Sequence, residues 1–242
     1  MERRADAALH ERGIVKSRAR AKALILEGKV LLNGAVLEKP AVMVSEDDVL
    51  ELTEDLPFVG RGGLKLAGAF EAFPLELGGR VCMDIGASTG GFTDCMLQHG
   101  AAKVYAIDVG HGQLDPLLAA NPRVVNMEGT DFRTVYPQDL QETPDFAGID
   151  VSFISLKLIL PGAYFLLADK ADCVALIKPQ FEVGRAHVGK KGIVRDVKVR
   201  ERVVQEIVAF AQELGFTCAG LCESPIQGGD GNVEYLAHFQ KN

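Results

Sequence analysis

The sequence predicts an α/β protein: a Rossmann-like, doubly wound, mostly parallel sheet with an antiparallel last strand, preceded by a small α+β domain. Three observations support this fold class. Apolar strand-like runs alternate with helical patterns from residue 64 onward. The run Val81–Ile85 leads into Gly86 and Gly90 and then into a helical pattern. The first 52 residues instead combine two short helical patterns with a hairpin signal.

Length and composition exclude several classes of protein. A chain of 242 residues is long enough for one large domain and a small one. No apolar run reaches the length of a membrane span, and the first 13 residues lack the apolar core of a signal peptide, so a cytoplasmic protein without a membrane partner is expected. The five cysteines form no C-x-x-C pair, so neither a metal site nor a disulfide framework is expected.

Charge is distributed unevenly along the chain. The net charge is −7, yet residues 1–45 contain nine Lys and Arg against five Asp and Glu, a local balance of +4. A cationic surface of this kind suits phosphate contacts. Charge alone fits a solvated helix face equally well.

The N-terminal elements follow in order. Residues 5–12 predict a short helix, and Ser17 is a good N-cap for a second helix that ends at Gly28. Asn33-Gly34 predicts a hairpin turn, and a last strand is expected over residues 48–52. The candidate phosphate contacts are Arg4, Arg18, Arg20, Lys22 and Lys29.

The stretch Asp84-Ile-Gly86-Ala-Ser-Thr-Gly90 predicts a ligand-binding turn between a strand and a helix. The spacing is D-x-G-x-x-x-G, which differs from the G-x-G-x-x-G of NAD-linked oxidoreductases. No lysine follows the glycines, so the stretch is not a P-loop. An acidic residue on the first strand fits a cofactor with positive charge, such as S-adenosylmethionine (SAM). Asp108 ends the second strand, where a carboxylate accepts both ribose hydroxyls, and Asp131 is a candidate acceptor for the adenine amino group. The predicted cofactor set is Asp84, Gly86, Ala87, Ser88, Gly90, Phe92, Asp108, Asp131 and Asp150. An ordinary strand–turn–helix without a ligand is the alternative.

The remaining elements complete the predicted sheet. A helix over residues 64–73 precedes the first strand, and another over 197–214 precedes an antiparallel pair. The further strands are expected over 103–108, 124–126, 145–151, 171–177, 216–222 and 233–239.

Four charged residues fall near the edge of the sheet where ligands bind. Asp150 and Lys178 follow strands, Glu234 begins the last strand, and Lys65 lies on the helix beside the glycine turn. Each alone fits a surface charge, but their joint placement favours a site.

The first of two resemblances covers residues 3–52. Arg4-Ala-Asp-Ala-Ala-Leu9, Ser17-Arg-Ala-Arg20 and Gly28-Lys-Val-Leu-Leu-Asn-Gly34 resemble the S4 (alpha-L) RNA-binding domain in content and order. The resemblance implies binding of structured RNA. The polar stretch Glu54-Asp-Leu-Pro57 breaks the strand pattern and predicts a domain boundary, and the glycines of Phe58-Val-Gly-Arg-Gly-Gly63 indicate a flexible linker. The expected division is an RNA-binding domain over residues 1–57, a linker over 58–63 and the second domain over 64–242.

The second resemblance covers the chain from Phe58 onward, which is similar to the FtsJ-type RNA 2′-O-methyltransferases. It rests on Arg61-Gly-Gly-Leu-Lys65, Asp150-Val-Ser-Phe-Ile-Ser155, Lys178-Pro-Gln-Phe-Glu182 and Gly231-Asn-Val-Glu-Tyr235. Together with the N-terminal match, the whole chain resembles the TlyA (hemolysin A) family.

The family resemblance implies an enzyme that uses SAM to methylate the 2′-oxygen of a ribose, a cytidine by family precedent, in ribosomal RNA of the ribosomal subunits. It also implies a catalytic set of Lys65, Asp150, Lys178 and Glu234. In this interpretation Lys178 is the base, Lys65 orients, Asp150 steers Lys178 and Glu234 supports.

Two rival functions come from other classes. One is a non-catalytic RNA-binding protein with a vestigial SAM pocket, which the intact four-residue set disfavours. The other is a membrane-lytic hemolysin, which the absence of an apolar spanning run disfavours.

Overall fold

A computed structural model describes residues 2–26, 28–52, 57–184, 188–189, 192–228 and 231–242. The chain divides into two compact units, residues 1–61 and 62–242. Most of the polar stretch predicted as the domain boundary, residues 54–57, lies outside the described residues.

The first unit packs two helices with short strands, as predicted. Leu9, Leu24 and Ile25 are fully buried in its core. The hairpin turn has the predicted chemistry, since Asn33 and Gly34 both have positive φ, 52° and 80°. The elements are β1 (Arg3–Arg4), α1 (Ala5–Glu11), α2 (Arg18–Leu26), β2 (Val30–Leu32), β3 (Ala35–Val36), β4 (Met43–Val44) and β5 (Leu50–Leu52). The strands form one antiparallel sheet in the order β3-β2-β5 and a separate β1-β4 pair, whose two-residue strands are too short for a sequence pattern to predict.

The second unit contains the predicted mixed sheet. Within the described residues its order is β11-β12-β10-β9-β6-β7-β8. Only β12 runs antiparallel to its neighbours β10 and β11, which confirms the predicted antiparallel last strand. The strands are β6 (Val81–Ile85), β7 (Lys103–Asp108), β8 (Val124–Glu128), β9 (Phe146–Ile149), β10 (Ala171–Ile177), β11 (Phe216–Glu223) and β12 (Tyr235–Lys241).

Helices cover the sheet and complete its core. The strand β10 is buried along its whole length, as expected for the centre of a doubly wound sheet. The helix α8 presents Val203, Val204, Ile207 and Ala211 to the core. The helices are α3 (Arg61–Ala72), α4 (Gly91–Gln98), α5 (Pro116–Ala119), α6 (Leu160–Leu166), α7 (Pro179–Glu182) and α8 (Val197–Glu213).

Strand register brings three chain segments to one edge. In the parallel pairing of β6 with β7 and β9, Ile85 lies opposite both Ile107 and Ile149. The next residue of each segment is therefore level with the others at the carboxyl edge: Gly86, Asp108 and Asp150. This is the edge at which ligands bind in such sheets.

The helix α3 begins earlier than the sequence predicts. Residues 61–63 are helical and are not part of a linker, so the expected linker over 58–63 is wrong in its second half. The glycines serve close packing instead of flexibility. A Cβ on Gly62 would lie 3.5 Å from the Phe92 ring and 3.6 Å from Asp150 Oδ2, and Gly63 is buried. Tertiary packing thus overrides the low helix propensity of glycine.

Candidate active site

The glycine turn after β6 is built for close approach of the backbone. Gly86 has φ +89°, and a Cβ there would lie 2.5 Å from the backbone oxygen of Asp150. No other residue type fits this position without a shift of the backbone. Gly90, at φ +93°, is the N-cap of α4, and a Cβ there would meet Leu118 at 2.4 Å.

Asp84 lies inside the protein instead of on the ligand surface. Its side chain is fully buried, and Oδ2 accepts hydrogen bonds from the backbone N of Thr93 at 2.8 Å and from Thr93 Oγ1 at 2.6 Å. Burial raises the pKa of Asp84 to about 7, against the opposing effect of the Thr93 hydrogen bonds. The carboxylate therefore joins β6 to the first turn of α4.

A cavity of about 450 Å³ opens at the carboxyl edge of β6, β7 and β9. This volume lies within the range of small-molecule sites. Five residues of the predicted cofactor set line it: Gly86, Ser88, Asp108, Asp131 and Asp150. The other four, Asp84, Ala87, Gly90 and Phe92, are buried behind it and do not line it. This lining fits a cationic nucleoside-like ligand. Asp108, Asp131 and Asp150 supply negative charge, and the glycine turn at Gly86 lets a ligand come close to the backbone.

Asp108 holds two loops of this cavity together. Its Oδ2 accepts a hydrogen bond from Ser88 N at 2.8 Å, and its Oδ1 accepts one from Gly110 N at 2.7 Å. Each carboxylate oxygen keeps a further lone pair for a ligand hydroxyl. The residue thus organises both loops and remains able to bind.

Asp131 is held by its neighbour Arg133. The guanidinium donates from Nη2 to Asp131 Oδ2 at 2.6 Å and from Nε to Oδ1 at 3.0 Å. These hydrogen bonds from Arg133 lower the pKa of Asp131. Arg133 also lines the cavity, and the sequence alone did not single it out.

A second cavity of about 400 Å³ contains three of the four predicted catalytic residues, Lys65, Lys178 and Glu234. Lys65 Nζ donates to Glu234 Oε2 at 2.7 Å, and Lys178 Nζ lies 2.6 Å from Asp150 Oδ1. The four charges therefore form two ion pairs. All four side chains are at most 17% exposed, so water screens the pairs weakly. Asp150 lines the first cavity, so the Asp150–Lys178 pair links the two.

Two polar side chains join this arrangement without having been predicted. Ser152 Oγ accepts a hydrogen bond from Lys178 Nζ at 2.9 Å, and Gln180 Nε2 donates to Glu234 Oε1 at 3.0 Å. Their only sequence signal is position, each lying two residues after a member of the predicted catalytic set, Asp150 or Lys178. Glu234 itself lies just before β12 and does not open the strand.

Phe153 stands where the two cavities meet. It lines both of them together with Ser152. Its side chain is 90% exposed and its φ is +64°, an uncommon conformation for a bulky residue. The ring contacts that of Phe181, with centroids 4.9 Å apart. An aromatic face is thus held open to solvent in the cavity that Lys178 also lines.

The predicted RNA contacts of the first unit differ in their surroundings. Arg4 Nη2 lies 2.9 Å and Arg18 Nε 3.4 Å from Oδ2 of the buried Asp6, so both guanidinium groups converge on one carboxylate. Burial acts to raise the pKa of Asp6, but hydrogen bonds from the two arginines outweigh it and lower that pKa. Arg20 donates to the carbonyl of Phe58 at 2.9 Å. Lys22 is exposed and Lys29 is half-buried.

Among the described residues, no group of three or more His, Cys, Asp or Glu side chains is arranged to hold a metal ion. In the same part of the chain, every helix is too short or too polar to span a bilayer.

Comparison with known families divides the chain in the same way as its two units. Residues 58–241 match the family described as FtsJ-like methyltransferase, and residues 3–50 match the S4 domain. The first match covers well over half of the chain.

Relatives match over nearly the full length. YqxC of Bacillus subtilis (strain 168), whose name assigns it provisionally to the rRNA methyltransferases, is 50% identical over 98% of this chain and 85% of its own. The "16S/23S rRNA (cytidine-2′-O)-methyltransferase TlyA" of Mycobacterium tuberculosis (strain ATCC 25618 / H37Rv) is 46% identical over 96% of this chain and 88% of its own.

A solved structure agrees with both matches. A Streptococcus thermophilus protein, described provisionally as a hemolysin, has a TM-score of 0.81 and 46% identity, covering 100% of this chain and 89% of its own. The chain therefore belongs to the FtsJ-like methyltransferases and, among them, to the TlyA (hemolysin A) family, with an S4 domain over residues 3–50.

Proposed function

We propose that this protein uses SAM to methylate the 2′-oxygen of a cytidine ribose in ribosomal RNA. The observation that supports this most directly is the Asp150–Lys178 ion pair at the junction of two cavities. One cavity has the size and charge of a cofactor site, and the other surrounds a buried lysine. The name of the mycobacterial TlyA supports the choice of cytidine and of ribosomal RNA.

The first cavity is the proposed cofactor site. Asp108 is placed to accept the ribose hydroxyls and Asp131 the adenine amino group, while Gly86 leaves room for the ligand. When bound, SAM supplies an electrophilic methyl group on a sulfonium. Asp84, Ala87, Gly90 and Phe92 act from behind the cavity wall by fixing the turn.

Lys178 is the proposed base. A ribose hydroxyl is a poor nucleophile until its proton is shared or removed. As the neutral amine, Lys178 Nζ would take this proton, and SAM, when bound, would supply the methyl group to the 2′-oxygen and leave as the neutral thioether. Asp150 holds Lys178 Nζ at 2.6 Å and stabilises the ammonium that results.

Lys65 and Glu234 line the second cavity together with Lys178, and this cavity is the proposed reaction cavity. Glu234 is only 2% exposed and accepts hydrogen bonds from both Lys65 and Gln180, so each of its carboxylate oxygens has a partner that fixes its orientation. Lys65 thereby keeps a fixed positive charge near the reacting oxygen. We assign it an orienting and electrostatic role.

Methyl incorporation tests the proposal. Purified protein and methyl-labelled SAM are incubated with small or large ribosomal subunits from a strain that lacks the corresponding gene. We expect stoichiometric label at the 2′-oxygen of a cytidine in at least one subunit. Undermethylated subunits that bind the protein but gain no label would favour a non-catalytic RNA-binding protein. Leakage of dye-loaded liposomes by the purified protein would favour the hemolysin alternative.

Phe153 is predicted to stack on the base of the target nucleotide. An exposed ring beside the reaction cavity offers a face to a base that is turned out of its helix. Phe153→Ala should lower kcat/KM for ribosomal subunits by about 10- to 100-fold, since one base stack is worth ~1–3 kcal/mol. Phe153→Tyr keeps the ring and serves as the control. Equal activity of the alanine and tyrosine variants would refute the stacking role.

The N-terminal unit is predicted to contribute phosphate contacts through Arg18 and Lys22. Both are exposed, and Arg4 still pairs with the buried Asp6 when they are removed. Arg18→Ala/Lys22→Ala should weaken binding to ribosomal subunits and reduce the salt slope of log K by about 1 to 2. The charge-matched control is Lys198→Ala/Arg202→Ala on α8, where both residues are exposed. A salt slope equal to that of the control would mean that Arg18 and Lys22 are only a solvated helix face.

A further inference from the structure

Two side-chain oxygens lie close to the Lys178 amine. Ser152 Oγ accepts a hydrogen bond from Nζ at 2.9 Å, and Asp150 Oδ1 lies 2.6 Å from Nζ as an ion-pair partner without hydrogen-bond geometry. The Phe181 ring centroid is 5.9 Å away, too far for a hydrogen bond. Within the described part of the chain, Ser152 Oγ is the one hydrogen-bond acceptor of this nitrogen. The lysine side chain is 9% exposed, so little water competes for it.

The geometry of an amine gives these two contacts a direction. A tetrahedral Nζ has three positions besides Cε. The hydrogen bond to Ser152 fixes one N–H and with it the rotation about the Cε–Nζ bond. In the neutral amine, an N–H occupies the remaining position nearer the Asp150 carboxylate, because a lone pair there would face negative charge. The lone pair therefore occupies the third position, which becomes the third N–H after proton transfer.

The loop that presents Ser152 is itself tied to the Lys178 segment. Ser155 Oγ donates to Glu182 Oε2 at 2.5 Å, and the backbone N of Leu156 donates to Glu182 Oε1 at 2.8 Å. The Phe153–Phe181 ring contact lies between these bonds and the Ser152–Lys178 bond. Ser152 is therefore held at the junction of the two cavities, where the hydroxyl and the methyl donor would meet.

We propose that Ser152 is a positioning residue that aims the lone pair of Lys178 at the ribose hydroxyl. This inference rests on the proposed function, in which Lys178 is the base. Asp150 supplies charge, and Ser152 supplies the hydrogen bond that sets the direction. Without Ser152 the amine turns about its carbon–nitrogen bond, and the lone pair is aimed correctly for only part of the time.

The test compares Ser152→Ala, Ser152→Thr and Ser155→Ala in single-turnover and steady-state methyl transfer to ribosomal subunits. Ser152→Ala should lower kcat by about 10- to 100-fold. KM for the subunits and the Kd for SAM should stay within about twofold of wild type. Ser152→Thr keeps the hydroxyl and should recover most of kcat. Ser155→Ala is the control, because the Ser155 hydroxyl belongs to the same loop but does not touch Lys178. This variant should lower Tm and leave kcat close to that of wild type.

Each failure has a distinct signature. Wild-type protein that transfers no methyl group would defeat the proposed function and this inference with it. An active wild type with an equally active Ser152→Ala variant would overturn the positioning role alone. A Ser152→Thr variant as slow as Ser152→Ala would also overturn it, because the hydroxyl would then not be the group that matters. A large rise in KM in place of a fall in kcat would assign Ser152 to substrate binding and likewise overturn the proposal.

Discussion

Replacing Lys178 with alanine is expected to lower kcat for methyl transfer by about 10²–10⁴-fold, the usual contribution of a general base. The side chain lines the reaction cavity and does not line the cofactor cavity. Cofactor affinity should therefore change little. Asp150 loses its cationic partner in this variant and lies on the cofactor cavity, so any change in SAM affinity should be toward tighter binding of the cationic ligand.

The measurement is kcat at saturating SAM and ribosomal subunits, with SAM affinity determined by calorimetry on the same preparation. Lys198→Ala is the control, because Lys198 is an exposed lysine on α8 outside both cavities. Substantial turnover by a folded Lys178→Ala protein would remove Lys178 as the base. Lys65 would then be the next candidate, since among the described residues it is the other lysine that lines the reaction cavity.

The sheet and its ligand edge could be predicted because strand identity and order were visible as apolar runs. A parallel pairing forces residues that follow adjacent strands to one edge, so Gly86, Asp108 and Asp150 are brought together by register alone. The same reasoning placed Lys178 after β10. These predictions needed periodicity and topology and no knowledge of side-chain contacts.

The roles of single side chains were less predictable because they depend on how deeply each side chain is buried. Asp84 and Asp108 both follow apolar residues on strands, yet Asp84 is fully buried against Thr93 while Asp108 lines the cofactor cavity. A strand's alternation says which face a residue is on. It does not say whether a following helix covers that face. The start of α4 does so at Asp84.

The pairing of the charges also lay beyond sequence reasoning. The four residues Lys65, Asp150, Lys178 and Glu234 could pair in two ways, and Lys65 lies 169 positions from its partner Glu234.

The role of two glycines was mispredicted because it also depends on tertiary contacts. In Gly62-Gly63 the sequence indicated flexibility, but the lack of side chains permits close packing in α3.

Replacing Asp108 is expected to weaken SAM binding by about 100-fold. A hydrogen bond to a charged group contributes ~1.5–3 kcal/mol, and in the proposed cofactor site the carboxylate accepts both ribose hydroxyls. Asp108→Ala also frees the backbone N–H groups of Ser88 and Gly110, so Tm should fall as well. Asp108→Asn keeps one acceptor oxygen and should lie between wild type and alanine in both respects.

Calorimetry with SAM and with its demethylated product measures the effect, and Asp169→Ala is the control because the Asp169 side chain is 87% exposed. Unchanged affinity in a folded Asp108→Ala protein would remove the ribose role.

Comparing the Asp108 variants with Lys178→Ala makes the test sharper. If the two cavities have separate duties, Asp108 variants should regain most of kcat when SAM is raised, because the reaction cavity is intact. The Lys178 variant should regain none at any SAM concentration. If the Asp108 variants raise the Kd for SAM without loss of kcat, and the Lys178 variant loses kcat without a rise in Kd, then cofactor binding belongs to the first cavity and proton removal to the second.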